Sequence, residues 1–256
     1  MISKKDLKEK NNFVFISTLK KFVGVQLKNY SKFNELVEIE KQKEIVLKNT
    51  LSFAKNKFFN NILLWGAKGM GKSSLVLAIC HHVNSKRKNK IKILELLSSD
   101  IKFLPEILYK ISTVNYKFII FIDDITFNSS ESDFKTFKVS VQGSFLSYNP
   151  NVVFYITSNI RNAINPKEDS NLNDIQIKDK RNNDIALADR FGLWVGFHKC
   201  DKNQYLKIVK NYANKNKITI PQIILEKEAL KWSIEKGDFS GRIAEQFILN
   251  INNKNN

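Results

Sequence analysis

Nine consecutive residues have the types and spacing of a loop that holds phosphate groups. They are Gly66, Ala67, Lys68, Gly69, Met70, Gly71, Lys72, Ser73 and Ser74, and they fit the pattern G-x-x-x-x-G-K-[ST]. Glycines let backbone N–H groups curl around phosphates without Cβ clashes. In such a loop Lys72 would reach the β and γ phosphates, and the Ser73 hydroxyl would be free to bind Mg²⁺. The segment predicts binding of ATP or GTP.

A pair of carboxylates, Asp123 and Asp124, follows the apolar run at residues 118–122. Such a run predicts a buried parallel strand, and ligands of open α/β sheets bind at the carboxyl ends of the strands. We therefore expect Asp123 to meet the Mg²⁺ held by Ser73, and Asp124 to orient or deprotonate an attacking water. An acid that ends an apolar strand is commonly structural, so it is the phosphate-binding loop that favours the metal role.

Alternating strand and helix patterns are predicted to position these groups. Residues 61–65 form a predicted strand entering the loop, and residues 74–79 a helix leaving it, as the motif requires. After a helix that opens at residue 36, the pattern predicts an α/β fold with a parallel sheet and a small C-terminal helical lid. The further predicted strands are 91–96, 118–124, 152–156 and 192–197. The intervening polar residues 160–188 are typical of a long surface loop.

Composition limits the class of protein. The chain has 256 residues with 43% hydrophobic content, which is ordinary for a globular core. No apolar run approaches the roughly 18 residues that span a bilayer, and the first residues lack the apolar segment of a secretion signal. Cys80 and Cys200 have no C-x-x-C partner. We expect a cytoplasmic protein without a membrane partner, a disulfide or a zinc site.

The formal charge of +17 leaves two interpretations open. A strongly basic chain suggests a polyanionic partner such as nucleic acid. Lysine is abundant throughout, however, and the densest basic run, at residues 85–92, is typical of a solvated loop. Because so few of the 42 basic residues are arginine, those positions are candidates for a planar, permanently charged guanidinium. The arginines are Arg87, Arg161, Arg181, Arg190 and Arg242.

Several of these residues together resemble the AAA+ ATPases. Residues 66–73 match the Walker A motif, residues 118–124 resemble Walker B, and Asn159 stands where the family places its sensor 1. Arg190 looks like the arginine finger, and residues 240–242, Ser-Gly-Arg, resemble sensor 2 of the lid. Parts of the loop, the Arg190 segment and the lid motif are also similar to an uncharacterised bacterial AAA+-like family, known only as a domain of unknown function.

This resemblance implies a fold, cofactors and domains. The fold is a three-layer P-loop architecture with a five-stranded parallel sheet in the order 5-1-4-3-2, and the cofactors are ATP and Mg²⁺. Adenine is expected beside Val37 and Ile39. With a loosely packed N-terminal extension at residues 1–34, the expected division is an ATPase core at residues 35–199 and a helical lid at residues 200–256.

The resemblance also assigns roles, and each has a structural alternative. Arg190 would act in trans on the nucleotide of a neighbouring subunit, which implies a homo-oligomer; alternatively it pairs with an acid such as Asp189. Arg242 would contact the γ-phosphate in cis, or would only cap or pair within the lid. Asn159 would position water, or simply end a strand. Arg161 is a further candidate for a phosphate or subunit contact.

One departure from the family leaves the function open. Walker B ends in Asp123-Asp124 where most AAA+ proteins have Asp-Glu, and the shorter acid is expected to slow turnover. The first possibility is an ATP-hydrolysing switch or motor that acts on an unidentified macromolecule. The second is a nucleotide-dependent DNA-binding protein of the replication initiator or loader type, since initiators of this superfamily also carry Asp-Asp. The third is a module that senses ATP without hydrolysing it.

Overall fold

A single sheet organises the molecule in the computed structural model, which describes residues 2–86, 90–125, 131–142, 149–159 and 191–255. Its strands are β1 (Asn12–Ile16), β2 (Lys21–Val25), β3 (Ile62–Gly66), β4 (Ile91–Glu95), β5 (Lys117–Ile122), β6 (Val152–Ser158) and β7 (Leu193–Phe197). Across the described residues these seven strands lie in the order β2-β1-β4-β5-β6-β3-β7.

Helices cover both faces of the sheet and form the C-terminal lid. They are α1 (Lys4–Glu9), α2 (Glu40–Ala54), α3 (Lys72–Ser85), α4 (Leu104–Ser112), α5 (Glu131–Gln142), α6 (Lys202–Lys215), α7 (Gln222–Lys236) and α8 (Gly241–Asn255). The lid comprises the last three. Its first helix begins with a capping box, in which Asp201 and Gln204 exchange side-chain hydrogen bonds with each other's backbone N–H groups. The predicted α/β fold with a helical lid is therefore confirmed.

Five parallel strands reproduce the predicted topology. The strands β7, β3, β6, β5 and β4 lie side by side, so the predicted order 5-1-4-3-2 is confirmed. The central strand β5 is apolar after Lys117, and these five residues are all buried, as expected of a strand covered on both faces. Phe118, Ile120 and Ile122 pack towards α4 and α5, whereas Ile119 and Phe121 belong to the core that includes α2, α3 and the lid.

The prediction of a loosely packed N-terminal extension is wrong. Strands β1 and β2 form an antiparallel pair, and β1 adds to the sheet by pairing in parallel with β4. Phe13, Phe15 and Phe22 are buried. The sequence contains no hairpin turn motif such as Asn-Gly at this point. The two strands are instead connected by a 3₁₀ turn that ends at Lys20, which has a φ of 46°. The described sheet therefore has two strands more than expected.

The start of α2 also differs from the prediction. Residues 36–39 were expected to open this helix, but it begins at Glu40. The preceding residues form an irregular connection in which Glu38 has a φ of 63°, a value outside the right-handed helical region. This connection lines a cleft between the sheet and the lid. Among the described residues, no helix is long and apolar enough to cross a membrane.

Candidate functional site

The predicted phosphate-binding loop connects β3 to α3, the setting that its sequence pattern requires. Gly66 has a φ of 118°, and a Cβ there would lie 2.1 Å from the carbonyl oxygen of Phe197. Gly69 has a φ of 72°, and a Cβ there would lie 2.9 Å from Ser240 Oγ. The two glycines thus permit close approach of β7 on one side and of the lid on the other.

Lys72 is the first residue of α3, and its ammonium group lies against the loop. It donates hydrogen bonds to the carbonyl oxygens of Gly66 and Ala67, both at 2.8 Å, and to Asn159 Oδ1 at 3.1 Å. Burial lowers the pKa of Lys72 to about 8, and the nearby negative charges of Asp124 and Asp123 oppose part of this fall. An anion brought to this position would favour the charged ammonium.

The hydroxyl and carboxylate predicted to share a metal ion are in direct contact. Ser73 Oγ, in the first turn of α3, donates a hydrogen bond of 2.6 Å to Asp123 Oδ1, just beyond the end of β5. Thr157 Oγ1, on the neighbouring strand β6, donates to the same carboxylate oxygen. The strand ends and the loop therefore meet at one edge of the sheet. Hydroxyl and carboxylate oxygens are hard ligands of the kind that Mg²⁺ prefers, so the residues fit this ion.

Asp124 is held in an unusual backbone conformation beside this pair. Its φ is 51°, which is uncommon for a residue other than glycine. Its backbone N–H donates to Thr157 Oγ1 at 2.8 Å, and Ile125 N–H donates to the Thr157 carbonyl oxygen at 2.9 Å. Asn159 Nδ2 donates to the Asp124 carboxylate while its amide oxygen accepts from Lys72. Asn159 therefore bridges the acid and the lysine.

The lid reaches the phosphate loop at the start of α8. Arg242 N–H donates to the Gly69 carbonyl oxygen at 3.2 Å, and a Cβ at Gly241 would lie 3.0 Å from the same oxygen. Arg242 lines the cleft, and its positive charge contributes to the lowered pKa of Lys72. A cation in the first turn of a helix opposes the helix dipole, and a bound anion would offset this repulsion, so the predicted phosphate contact of Arg242 stays a prediction.

The cleft between core and lid has a volume of about 450 Å³. The loop residues along its wall are Lys68, Gly69, Met70, Gly71, Lys72, Ser73 and Ser74. Beyond them the wall is formed by Val37 and Ile39, the residues predicted to contact adenine, together with Ile208 and Tyr212 of α6. The end at the loop is thus polar and charged, with Asp123 and Asp124 beside Lys72, and the other end is apolar apart from Glu35 and Glu245.

The connection before α2 is fastened to the lid by one face of α6. Lys207 Nζ lies 3.1 Å from Glu38 Oε1, and Lys215 Nζ lies 2.7 Å from Glu35 Oε2. Between them, Asn211 Nδ2 donates to the Glu35 carbonyl oxygen at 2.8 Å. These residues of α6 are spaced four apart, so they share one side of the helix.

Sequence reasoning missed several residues of the cleft. Thr157 contacts both acids, but a threonine at the end of a strand carries no motif by itself. Ile208 and Tyr212 have the spacing of residues on the buried face of a helix. That spacing does not predict that they lie opposite the connection before α2. Glu95, at the carboxyl end of β4, is a further carboxylate near the acidic pair, and burial followed by the charge of Asp123 raises its pKa.

Arg190 and Arg161 lie outside the described residues, so the predicted finger and the predicted phosphate or subunit contact stay predictions. Cys80 and Cys200 are buried free thiols. In the part of the chain that the structure describes, no group of three or more His, Cys, Asp and Glu side chains could hold a metal ion. Ser73 and Asp123 are one hydroxyl and one carboxylate, so they do not count as such a group.

Solved structures share this fold. The RuvB Holliday junction branch migration motor of Thermotoga maritima matches with a TM-score of 0.56 and 16% identity, over 87% of this chain and 64% of that chain. A variant of that protein matches with a TM-score of 0.60 and 15% identity, over 87% and 65% of the two chains. A DNA replication initiation factor matches with a TM-score of 0.54 and 17% identity, over 90% and 66%.

The chain spans 64–66% of the length of these three structures. At such low identities the likeness shows the fold, which is that of the P-loop AAA+ ATPases, and the predicted resemblance is confirmed. No curated protein matches the chain. The model of the family described as a protein of unknown function (DUF815) matches residues 8–255, and the chain belongs to this family.

Proposed function

We propose that this protein binds ATP with Mg²⁺ in the cleft, hydrolyses it, and acts as a conformational switch or motor on a macromolecule. The observation that carries the proposal is the 2.6 Å contact between Ser73 Oγ and Asp123 Oδ1 beside Lys72. These two oxygens would hold Mg²⁺, which when bound supplies positive charge to the phosphates. Phosphate oxygens and water would supply the other ligands of this ion.

The cleft offers a binding position for each part of the nucleotide. Lys72 would exchange its contacts with the loop carbonyls for the β and γ phosphates. Arg242 would bind the γ-phosphate from the lid side, so that a triphosphate would join lid and core. The apolar end, with Ile39 and Tyr212, would accommodate the base. Adenine and guanine both fit this description, and adenine is favoured by the resemblance to AAA+ ATPases.

Hydrolysis requires a water aligned with the γ-phosphorus. Asn159 would position this water, and Asp124 would accept its proton as the new oxygen–phosphorus bond forms. The bond between the γ-phosphorus and the bridging oxygen breaks, and the products are ADP and inorganic phosphate. In this proposal Arg190 completes the site from a neighbouring subunit, so the active form is a homo-oligomer.

Phosphate release and nucleotide binding by the purified chain test this function. Lys72→Ala is expected to lower phosphate release about a hundredfold or more, because it removes a charged group from the transferring phosphates. Lys57→Ala provides a matched control, since Lys57 is exposed and does not line the cleft. Phosphate release that survives Lys72→Ala unchanged would rule out hydrolysis in this cleft. If the oligomer binds ATP but releases no phosphate, the protein would be a module that senses ATP without hydrolysing it.

A DNA-associated role is the second candidate. Its support is the formal charge of +17 together with the fold shared with a branch migration motor and a replication initiation factor. If phosphate contacts dominate, the affinity for double-stranded DNA must fall steeply as salt rises. This role would be supported if the protein binds a DNA duplex at low salt, loses that binding at higher salt, and changes its affinity when ATP is added. A chain that does not bind the duplex even at low salt would exclude it.

A further inference from the structure

A second cavity, of about 470 Å³, lies on the side of the sheet away from the nucleotide cleft. It is bounded by α1, by the β1–β2 hairpin, and by α4 with the loop that follows it. None of its lining residues also lines the cleft. Its volume falls within the range of about 300–1,000 Å³ that is typical of small-molecule sites.

The inner walls of this cavity are apolar and well ordered by packing. The Phe15 ring lies 5.2 Å from the Phe22 ring and 5.4 Å from the Phe103 ring, measured between centroids. Ile107 and Ile111 of α4 are 5% and 4% exposed, so they form a closed floor and not a surface patch. Apolar walls that face water carry a free-energy cost, which an apolar ligand of suitable size would relieve.

The rim of the cavity is positively charged. Four lysines and one acid line it, giving a formal charge of +4 − 1 = +3: Lys4, Lys8, Lys20, Lys110 and Glu106. Glu106 and Lys110 form an ion pair with each other. Within the described residues, Lys4 and Lys8 have no recorded side-chain hydrogen bond or ion pair, and they stand one turn apart on α1. Among these five groups the ion pair thus lies on α4, and Lys4 and Lys8 lie on α1.

We propose that this cavity binds a small amphipathic anion, a molecule with one apolar tail and one carboxylate. The apolar walls would take the tail, and Lys4 and Lys8 would hold the carboxylate at the rim. The walls stand on several sides and enclose a single recess, which suits one short tail better than a helix of a partner protein. This site is independent of the proposed ATP hydrolysis, since the two cavities share no residue.

Calorimetric titration of the full chain with octanoate, decanoate and dodecanoate tests the proposal. One molecule should bind per chain. The affinity should rise about fifteenfold from octanoate to decanoate, or about fourfold for each methylene, until the tail fills the recess. Decanoate should bind more tightly than decanol, and decylammonium should bind least. Absence of saturable one-to-one binding, or equal affinity for the carboxylate and the ammonium, would overturn the proposal.

Charge reversal on α1 tests the rim separately. The double variant Lys4→Glu with Lys8→Glu should weaken decanoate binding about tenfold and leave decanol binding unchanged. Lys5→Glu on the same helix should change neither, because Lys5 does not line the cavity. Lys72→Ala should also leave decanoate binding intact, which separates this site from the cleft. If an acidic amphipathic peptide binds and decanoate does not, the occupant is a protein and the proposal is wrong.

Discussion

The two cavities are nearly equal in size, at about 450 and 470 Å³, but the chain builds them in different ways. The phosphate end of the cleft comes mainly from consecutive residues of one loop, whose glycines set the backbone path. The second cavity comes from side chains far apart in sequence, between residues 2 and 22 and between residues 103 and 118. The first depends on local backbone geometry, and the second depends on packing.

This difference predicts how each cavity responds to substitution. In the proposed function single polar atoms at the loop end of the cleft would meet a charged ligand, so replacing one atom should change activity and leave folding intact. In the second cavity the walls are part of the hydrophobic core, so truncating one wall residue should change stability.

Asp124→Asn should separate activity from folding at the cleft. Asparagine tolerates the φ of 51° found at this position and has nearly the same shape, so the backbone is kept. It cannot accept a proton from water, and phosphate release should fall about a hundredfold or more while ATP affinity is retained. The measurement is steady-state phosphate release alongside equilibrium nucleotide binding.

The matched control for this substitution is Asp201→Asn, because asparagine caps helices as well as aspartate does. Both phosphate release and thermal stability should stay unchanged in that variant. Full activity of Asp124→Asn would show that another group takes the proton, and Glu95 at the end of β4 would be the next carboxylate to replace.

The same contrast explains which parts of the structure the sequence predicted. Lys72, Ser73 and Asp123 were placed correctly together because a loop motif and the ends of parallel strands fix their relative positions. The hairpin of β1 and β2 was missed because its pairing with β4 is a contact between residues about 80 positions apart. The irregular backbone before α2 was missed for a related reason, since contacts from α6 hold it and those residues are distant in sequence.

Phe15→Ala should destabilise the fold and spare the chemistry. Phe15 is 6% exposed and contacts two other aromatic rings, so its truncation should cost about 3–5 kcal/mol of unfolding free energy. Phe58→Ala is the matched control, because that side chain is fully exposed and its loss should cost less than about 0.5 kcal/mol. Urea unfolding gives both values. An equal, small effect of the two substitutions would mean that the second cavity is not part of the core.

Nucleotide affinity should depend on pH through Lys72. The pKa of this ammonium is lowered to about 8 by burial, and its charged form is the one proposed to bind phosphate. Affinity should therefore be full below the pKa and fall as the pH rises through it. The expected loss is about tenfold between roughly pH 7 and pH 9, measured with a fluorescent ATP analogue.

Lys92 allows this pH dependence to be assigned. Burial also lowers its pKa to about 8, but its ammonium donates to the Lys10 carbonyl oxygen and to Asn11 Oδ1, away from the cleft. Lys92→Met should keep the pH dependence of nucleotide binding, whereas Lys72→Met should abolish it together with most of the affinity. An affinity that does not change over this pH range would contradict the role of Lys72.

Lys207→Ala tests the base end of the cleft, which resembles the second cavity because distant side chains build it. Lys207 is 66% exposed in its ion pair with Glu38, so solvent screens the pair and its loss should weaken nucleotide binding only about twofold to threefold. Lys202→Ala on the same helix should change nothing, since the ion pairs to the connection before α2 come from Lys207 and Lys215. A loss as large as that expected for Lys72 would mean that α6 controls the cleft as strongly as the phosphate loop does. An effect of twofold to threefold would instead place the main binding energy at the phosphate end, where the backbone is fixed by local sequence.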